Sequence, residues 1–86
     1  MSFDLPKGWE HLDEGFSIKF HNTYPDGTDV IIEIKKSSNY EIWSSSEHRC
    51  SGPNINKESE HTDKEAAIEA AIKEMKGWNG YIVNNT

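Results

Sequence analysis

The sequence predicts a small α+β domain: an antiparallel sheet of three to four strands, then one C-terminal helix packed on one face, in the order βββα. Residues 15–36 alternate apolar and polar side chains around a Tyr-Pro-Asp-Gly-Thr turn, which is typical of a β-hairpin. Residues 62–77 repeat apolar side chains at helical spacing and are rich in alanine. A chain of 86 residues is expected to form one domain.

The hairpin has a predictable register because its turn chemistry is clear. The proline of YPDGT presets φ for a type I turn, and Gly27 suits the left-handed position that follows. We expect Tyr24 to face Thr28. This alignment predicts three cross-strand pairs: Phe20 with Ile32, Ile18 with Ile34, and Lys19 with Glu33.

Residues 40–45 (YEIWSS) predict a third strand after a Ser-Ser-Asn loop. A three-residue loop would place Ile42 beside Ile34 on the core face and leave Trp43 on the other face, near Ile31 and Glu33. A two-residue loop would turn Trp43 inward, because a shift of one residue reverses both faces of a strand. The sequence favours the longer loop.

The predicted helix starts at a capping box formed by Thr62 and Glu65. Its buried stripe is expected to contain Ile68, Ala71, Ile72 and Met75. Gly77 is a natural C-terminal stop.

The remaining chain is divided by composition. Residues 1–14 form an N-terminal segment, residues 15–46 the strand meander, residues 47–61 a polar loop and residues 78–86 an aromatic tail that could add a short strand. Trp9 is expected to plug one end of the core together with Leu12, or residues 9–12 form a further edge strand.

Residues 5–10 (LPKGWE) resemble the start of a WW domain. A WW domain needs a second tryptophan, which would fall near position 31 here. Ile31 and Ile32 occupy that position, and the next tryptophan is Trp43. The sequence therefore does not predict a WW domain, and a structural role for Trp9 is favoured.

The formal net charge of −6 and the pI near 5.1 argue against direct binding of nucleic acid, because nucleic-acid binders usually carry a basic surface. Acidity favours a basic protein partner. The chain starts without the basic and apolar regions of a signal peptide, has one cysteine, and has no apolar run long enough to span a membrane. We expect a cytoplasmic protein, located in the bacterial host cytoplasm if it is phage-encoded.

Catalytic and metal chemistry are not expected. Cys50 lies near His48 and His61 in sequence, but their spacing matches no paired zinc-ligand pattern. A cysteine nucleophile needs a base held by an orienting group, and His48 or His61 with Asp63 would be the candidates, but they lie in the predicted polar region without a glycine-rich oxyanion turn. We therefore predict no enzymatic activity, no catalytic residue, no metal and no cofactor.

A partner-binding surface is predicted instead. It combines the exposed-face residues with acidic residues of the polar loop, namely Ile31, Glu33, Glu41, Trp43, Glu58 and Glu60. An exposed tryptophan beside an aliphatic residue is typical of an interaction site. The alternative is that the N-terminal segment, with Phe3, Leu5 and Trp9, or the tail, with Tyr81, covers that face.

In size, acidity and layout the chain resembles small phage-encoded anti-defence proteins, including anti-CRISPR inhibitors. This resemblance implies a stoichiometric inhibitor whose acidic surface occupies a basic nucleic-acid-binding or subunit-binding surface of its target, such as a CRISPR effector. It carries over no functional residues. The alternative function is a structural or accessory domain that self-associates, for example as a homodimer, without inhibitory activity.

Overall fold

The computed structural model describes residues 5–14, 17–48 and 53–84. These residues form a five-stranded antiparallel sheet, with the strands side by side in chain order, followed by one helix. The elements are β1 (Glu10–Glu14), β2 (Ser17–Thr23), β3 (Asp29–Lys36), β4 (Tyr40–Glu47), β5 (Asn54–His61) and α1 (Lys64–Asn84). The predicted α+β class is confirmed, but the predicted count of three to four strands was too low.

The β2–β3 hairpin has the predicted register. The Tyr24 amide donates a hydrogen bond of 2.9 Å to the Thr28 carbonyl, and Gly27 has a φ of +94°. The three predicted pairs are present: Ile18 with Ile34, Lys19 with Glu33 and Phe20 with Ile32. Turn chemistry and side-chain alternation therefore act together to fix the alignment.

The loop between β3 and β4 spans three residues, as predicted. Lys36 pairs with Tyr40, Ile34 with Ile42, and Glu33 with Trp43. Ile42 is fully buried, whereas Trp43 is half-buried on the opposite face of the sheet.

The polar loop predicted for residues 47–61 is wrong in its second half, where Asn54–His61 forms strand β5 against β4. Because β5 is an edge strand with largely exposed side chains, its sequence lacks the apolar alternation that would have indicated a strand. The register shifts between Ile42, which faces Ser59, and Trp43, which faces Lys57, so Glu58 is the extra residue of a β-bulge.

Strand β1 forms the opposite edge of the sheet. The N-terminal segment therefore contributes an edge strand, which was one of its two predicted structures. Trp9 is buried, with 6% of its surface exposed, as the structural interpretation predicted. Leu12 does not join it, because Leu12 pairs with Lys19 on the sheet face that the helix does not cover.

The helix packs on β3, β4 and β5 through the predicted stripe. Ala71 and Met75 are fully buried, as is Ala67, and Ile68 and Ile72 pack against them. The Ala67 amide donates to the Asp63 carbonyl at 3.0 Å, so Asp63, rather than Thr62, occupies the N-cap position. No helix in the described parts of the chain is long and apolar enough to span a membrane.

The predicted helix end at Gly77 is wrong, and residues 78–84 continue the helix instead of forming a separate tail. Met75, Trp78, Asn79 and Ile82 keep the helical spacing i, i+3, i+4 and i+7, so the buried face extends past the glycine. Ile82 is 8% exposed. Burial of these side chains offsets the cost of about 1 kcal/mol that each helical glycine carries.

One helical side chain organises this end of the molecule. Asn79 Oδ1 accepts hydrogen bonds from the Trp9 indole at 3.1 Å and from the Tyr24 hydroxyl at 2.7 Å. Asn79 Nδ2 donates to the Lys7 carbonyl at 3.1 Å. Residues 5–9 are thereby held on the helix side of the sheet.

The glycine in LPKGWE is required by this arrangement. Gly8 has a φ of +87°, and the turn is closed by a hydrogen bond of 3.2 Å from the Trp9 amide to the Pro6 carbonyl. A Cβ atom at Gly8 would lie 2.9 Å from Asn22 Nδ2, and Asn22 is buried. Both the backbone conformation and the space therefore demand glycine.

We predict that Gly8→Ala lowers the free energy of unfolding by about 1–3 kcal/mol, because it adds backbone strain to a steric clash. Thermal unfolding should occur at least roughly 5 °C lower. The matched control is Gly80→Ala, because Gly80 is helical and a Cβ there meets open space. The control should stabilise the protein by about 0.5–1 kcal/mol. Equal melting temperatures for the two variants would refute the role given to Gly8.

Candidate functional site

The sheet face opposite the helix is the candidate functional site, and we call it the open face. Helix α1 packs only on the other face, where Phe20, Ile32 and Ile42 are fully buried. Leu5 and Trp9 pack with that core, and Tyr81 lies within the helix, so none of the three covers the open face. Phe3, also expected as a cover, lies outside the described residues.

Trp43 lies on β4 within the open face and is held in place by its neighbours. Its indole nitrogen donates a hydrogen bond of 3.0 Å to Glu41 Oε1. Lys35 Nζ lies 4.7 Å from the centre of its ring, which is cation–π distance. Glu33 and Lys57 occupy the paired positions on the two adjacent strands. The ring is therefore oriented before any partner arrives, which lowers the entropy cost of binding.

Two isoleucines accompany Trp43 on this face. Ile31 and Ile55 both pair with Ser45, one from each side of β4, which places them one row from Trp43. Ile55 is 60% exposed. The sequence prediction missed Ile55 because residues 47–61 were expected to form a loop. The polar sequence of this edge strand has no apolar alternation that would have placed Ile55 on the open face.

Charged groups at one margin of the open face form a connected set. Lys57 Nζ contacts Glu60 Oε1 at 2.8 Å and Glu41 Oε2 at 3.5 Å, and Asn39 Nδ2 donates to Glu60 Oε2 at 2.8 Å. The hydrogen bond with Lys57, followed by that from Asn39, lowers the pKa of Glu60. The hydrogen bond with Glu60 raises the pKa of Lys57. Both groups remain charged around neutral pH.

A second charged group lies at the other end of the open face, around His21. His21 Nδ1 lies 3.3 Å from Glu10 Oε1, and His21 Nε2 lies 3.3 Å from Asp29 Oδ1. The hydrogen bond from the Thr23 hydroxyl, followed by that from His21, lowers the pKa of Asp29. This end of the face is therefore acidic.

Five of the six predicted partner-binding residues share the open face: Ile31, Glu33, Glu41, Trp43 and Glu60. Glu58 does not join them. It lies at the β5 bulge, close to Glu74 of the helix. A bulge changes the direction in which a strand residue points, and the sequence gave no means of predicting it.

The helix side carries a separate groove of about 780 Å³ between the second half of α1 and the ends of β4 and β5. Its lining includes Glu58, Glu74, Trp78 and Tyr81. Burial, followed by the charge and hydrogen bond of Glu58, raises the pKa of Glu74, and the charge of Lys73 opposes this shift.

No group of three or more histidine, cysteine or acidic side chains suited to holding a metal ion occurs in the described parts of the chain. His48 Nε2 contacts the Asp26 carbonyl at 3.2 Å, and His61 Nε2 contacts Ser59 Oγ at 2.9 Å. Cys50 lies outside the described residues.

Comparison with known proteins adds no relative. No protein-family model matches the chain, and no curated protein and no solved structure matches it significantly. The function must therefore be argued from the surfaces described above.

We predict that Glu74→Gln raises the melting temperature at pH 7.5 by roughly 2 °C, equivalent to a few tenths of a kcal/mol. Because the folded-state pKa of Glu74 is raised, ionisation destabilises the fold above that pKa. The gain should shrink as the pH falls through the raised pKa towards the ordinary range of a glutamate. Thermal melts from pH 4 to pH 8 would measure it.

The control for this pH profile is Glu69→Gln, which removes the same charge from an exposed position on the same helix. It should not stabilise the protein at any pH in this range. A Glu74→Gln gain that is independent of pH would contradict the assigned cause.

Proposed function

We propose that the chain is a small, non-enzymatic protein-binding module that acts as a stoichiometric inhibitor or regulator of a partner protein through its open face. The observation that carries this proposal is the oriented Trp43 ring on a sheet face that no described element covers. Tryptophan is enriched among the residues that dominate binding energy at interfaces.

The charge of the open face specifies the chemistry of the partner. Acidic side chains at its rim outnumber lysines among the described positions: Glu10, Asp29, Glu33, Glu41 and Glu60 against Lys19, Lys35 and Lys57. A basic protein surface complements this rim, and its association should be steered by long-range attraction. The whole chain, with its net charge of −6, reinforces that steering.

The resemblance to phage-encoded anti-defence proteins supports a particular kind of partner. Proteins that handle nucleic acids carry basic surfaces, and an acidic module can occupy such a surface in place of the nucleic acid or a subunit. In this proposal the target is a nucleic-acid-handling complex in a bacterial cytoplasm, such as a CRISPR effector, and the module itself binds no nucleic acid and no membrane.

The test begins with capture of a partner from bacterial lysate, followed by affinity measurement with purified proteins. Trp43→Ala should weaken binding by at least about 30-fold, since truncation of a central tryptophan costs about 2 kcal/mol or more. Glu60→Lys should weaken binding by about 3- to 10-fold at low salt and by less at high salt.

Glu69→Lys is the matched control, because it reverses the same charge on the helix rather than on the open face. It should change affinity by less than about twofold if the contact is local. The proposal fails if Trp43→Ala and Glu60→Lys both remain folded and bind as tightly as the native protein.

A second candidate function is self-association as a structural or accessory domain. It is favoured by the strand order, which leaves the outer edges of β1 and β5 unpaired within the sheet of the described chain. The β5 bulge and the charges of Lys57 and Glu60 oppose edge pairing. Sedimentation at rising protein concentration separates the two functions: a dimer with no other partner favours self-association, and a monomer at high micromolar concentration excludes it.

A further inference from the structure

The groove on the helix side has an unusual combination of walls. It lies between the second half of α1 and the ends of β4 and β5, on the side of the sheet away from Trp43, and has a volume of about 780 Å³. One wall consists of carboxyl groups and another of two aromatic rings. This combination of acidic and aromatic walls indicates a specific kind of ligand.

The carboxyl wall is formed by Glu58 and Glu74, which both line the groove. The β5 bulge produces this arrangement, because it turns Glu58 towards the helix instead of leaving it with the charges of the open face. Asp26 and Glu47 line the same groove. Lys73 and His48 also line it, but the carboxyl groups are in excess.

The aromatic wall is formed by Trp78 and Tyr81. Their ring centres are 5.8 Å apart and their planes are nearly perpendicular, at 82°. Tyr81 is 58% exposed, and Trp78 is half-buried against the core. The helix that fixes both rings continues past Gly77, so this wall is a consequence of the unexpected helix length.

A guanidinium group matches both walls. Its flat face stacks on aromatic rings, and its edge donates paired hydrogen bonds to carboxylates. An ammonium group lacks both the flat face and the fork of donors. We propose that this groove binds an arginine side chain of a partner protein, at a site separate from the open face. The proposal does not depend on Trp43 being a binding residue.

The proposal is tested by NMR titration of the ¹⁵N-labelled full chain with the peptide acetyl-Gly-Arg-Gly-amide. The matched control peptide contains citrulline, which keeps the shape of arginine but carries no charge. The arginine peptide should shift the Trp78 indole signal and the amide signals of 73–82 in a saturable way, with a Kd on the order of 1–10 mM. The Trp43 indole signal should stay in place.

Variants locate the contact. Glu58→Gln combined with Glu74→Gln should weaken arginine-peptide binding by at least about fivefold, because both charge-assisted contacts are lost. Glu69→Gln, on the exposed part of the same helix, should leave the affinity within about twofold of the native value. Tyr81→Leu keeps an apolar side chain but removes the ring, and should weaken binding by about two- to fivefold.

Three results would each overturn the proposal. These are equal shifts and equal affinity with the citrulline peptide, native-like binding of the arginine peptide by the double glutamine variant, and peptide-induced shifts centred on Trp43. Trp43→Ala provides the separation from the proposed function, because it should bind the arginine peptide normally even where it fails to bind the captured partner.

Discussion

The amide side chain of Asn79 is the interaction on which the arrangement of this protein depends. It accepts hydrogen bonds from the Trp9 indole and the Tyr24 hydroxyl and donates one to the Lys7 carbonyl. The indole can only donate, so the oxygen of Asn79 must face it. One helical residue thus connects the N-terminal segment, the hairpin turn and the last helical turns. Each bond adds about 1 kcal/mol, and an unpaired buried donor would cost more.

This connection decides which surfaces are available. Because the Trp9 indole is hydrogen-bonded to Asn79, residues 5–9 pack on the helix side and leave the open face uncovered. Because the helix continues through Gly77 to reach Asn79, Trp78 and Tyr81 are fixed beside β5 and form one wall of the groove. The sheet therefore separates two candidate contact surfaces: an apolar one centred on Trp43 and an acidic, aromatic one on the opposite side.

The sequence predicted the parts of this fold that bury a periodic face. Phe20 and Ile32, or Ala71 and Met75, recur at strand or helix spacing because one side of each element must leave water. Strand β5 could not be predicted in this way, since its side chains are largely exposed and show no apolar alternation. The predicted site was correspondingly incomplete, lacking Ile55.

Long-range contacts explain the other errors. Gly77 looks like a helix stop locally, and the Asn79-Gly80 dipeptide looks like a turn. The distant partners of Asn79, together with the burial of Trp78 and Ile82 against the core, make the helical conformation preferable. The position of Glu58 depends on a bulge that no local pattern signals. The sequence could not predict the conformation of residues that depend on partners far away in the chain.

The most direct test of this account is hydrogen exchange of the indole N–H groups, followed by NMR on the full chain. The account predicts that the Trp9 indole exchanges at least about tenfold more slowly than the Trp43 indole, and that Asn79→Ala abolishes this protection of Trp9 while Trp43 is unchanged. If Asn79→Ala left the Trp9 indole as protected as in the native protein, the role given to Asn79 would be contradicted.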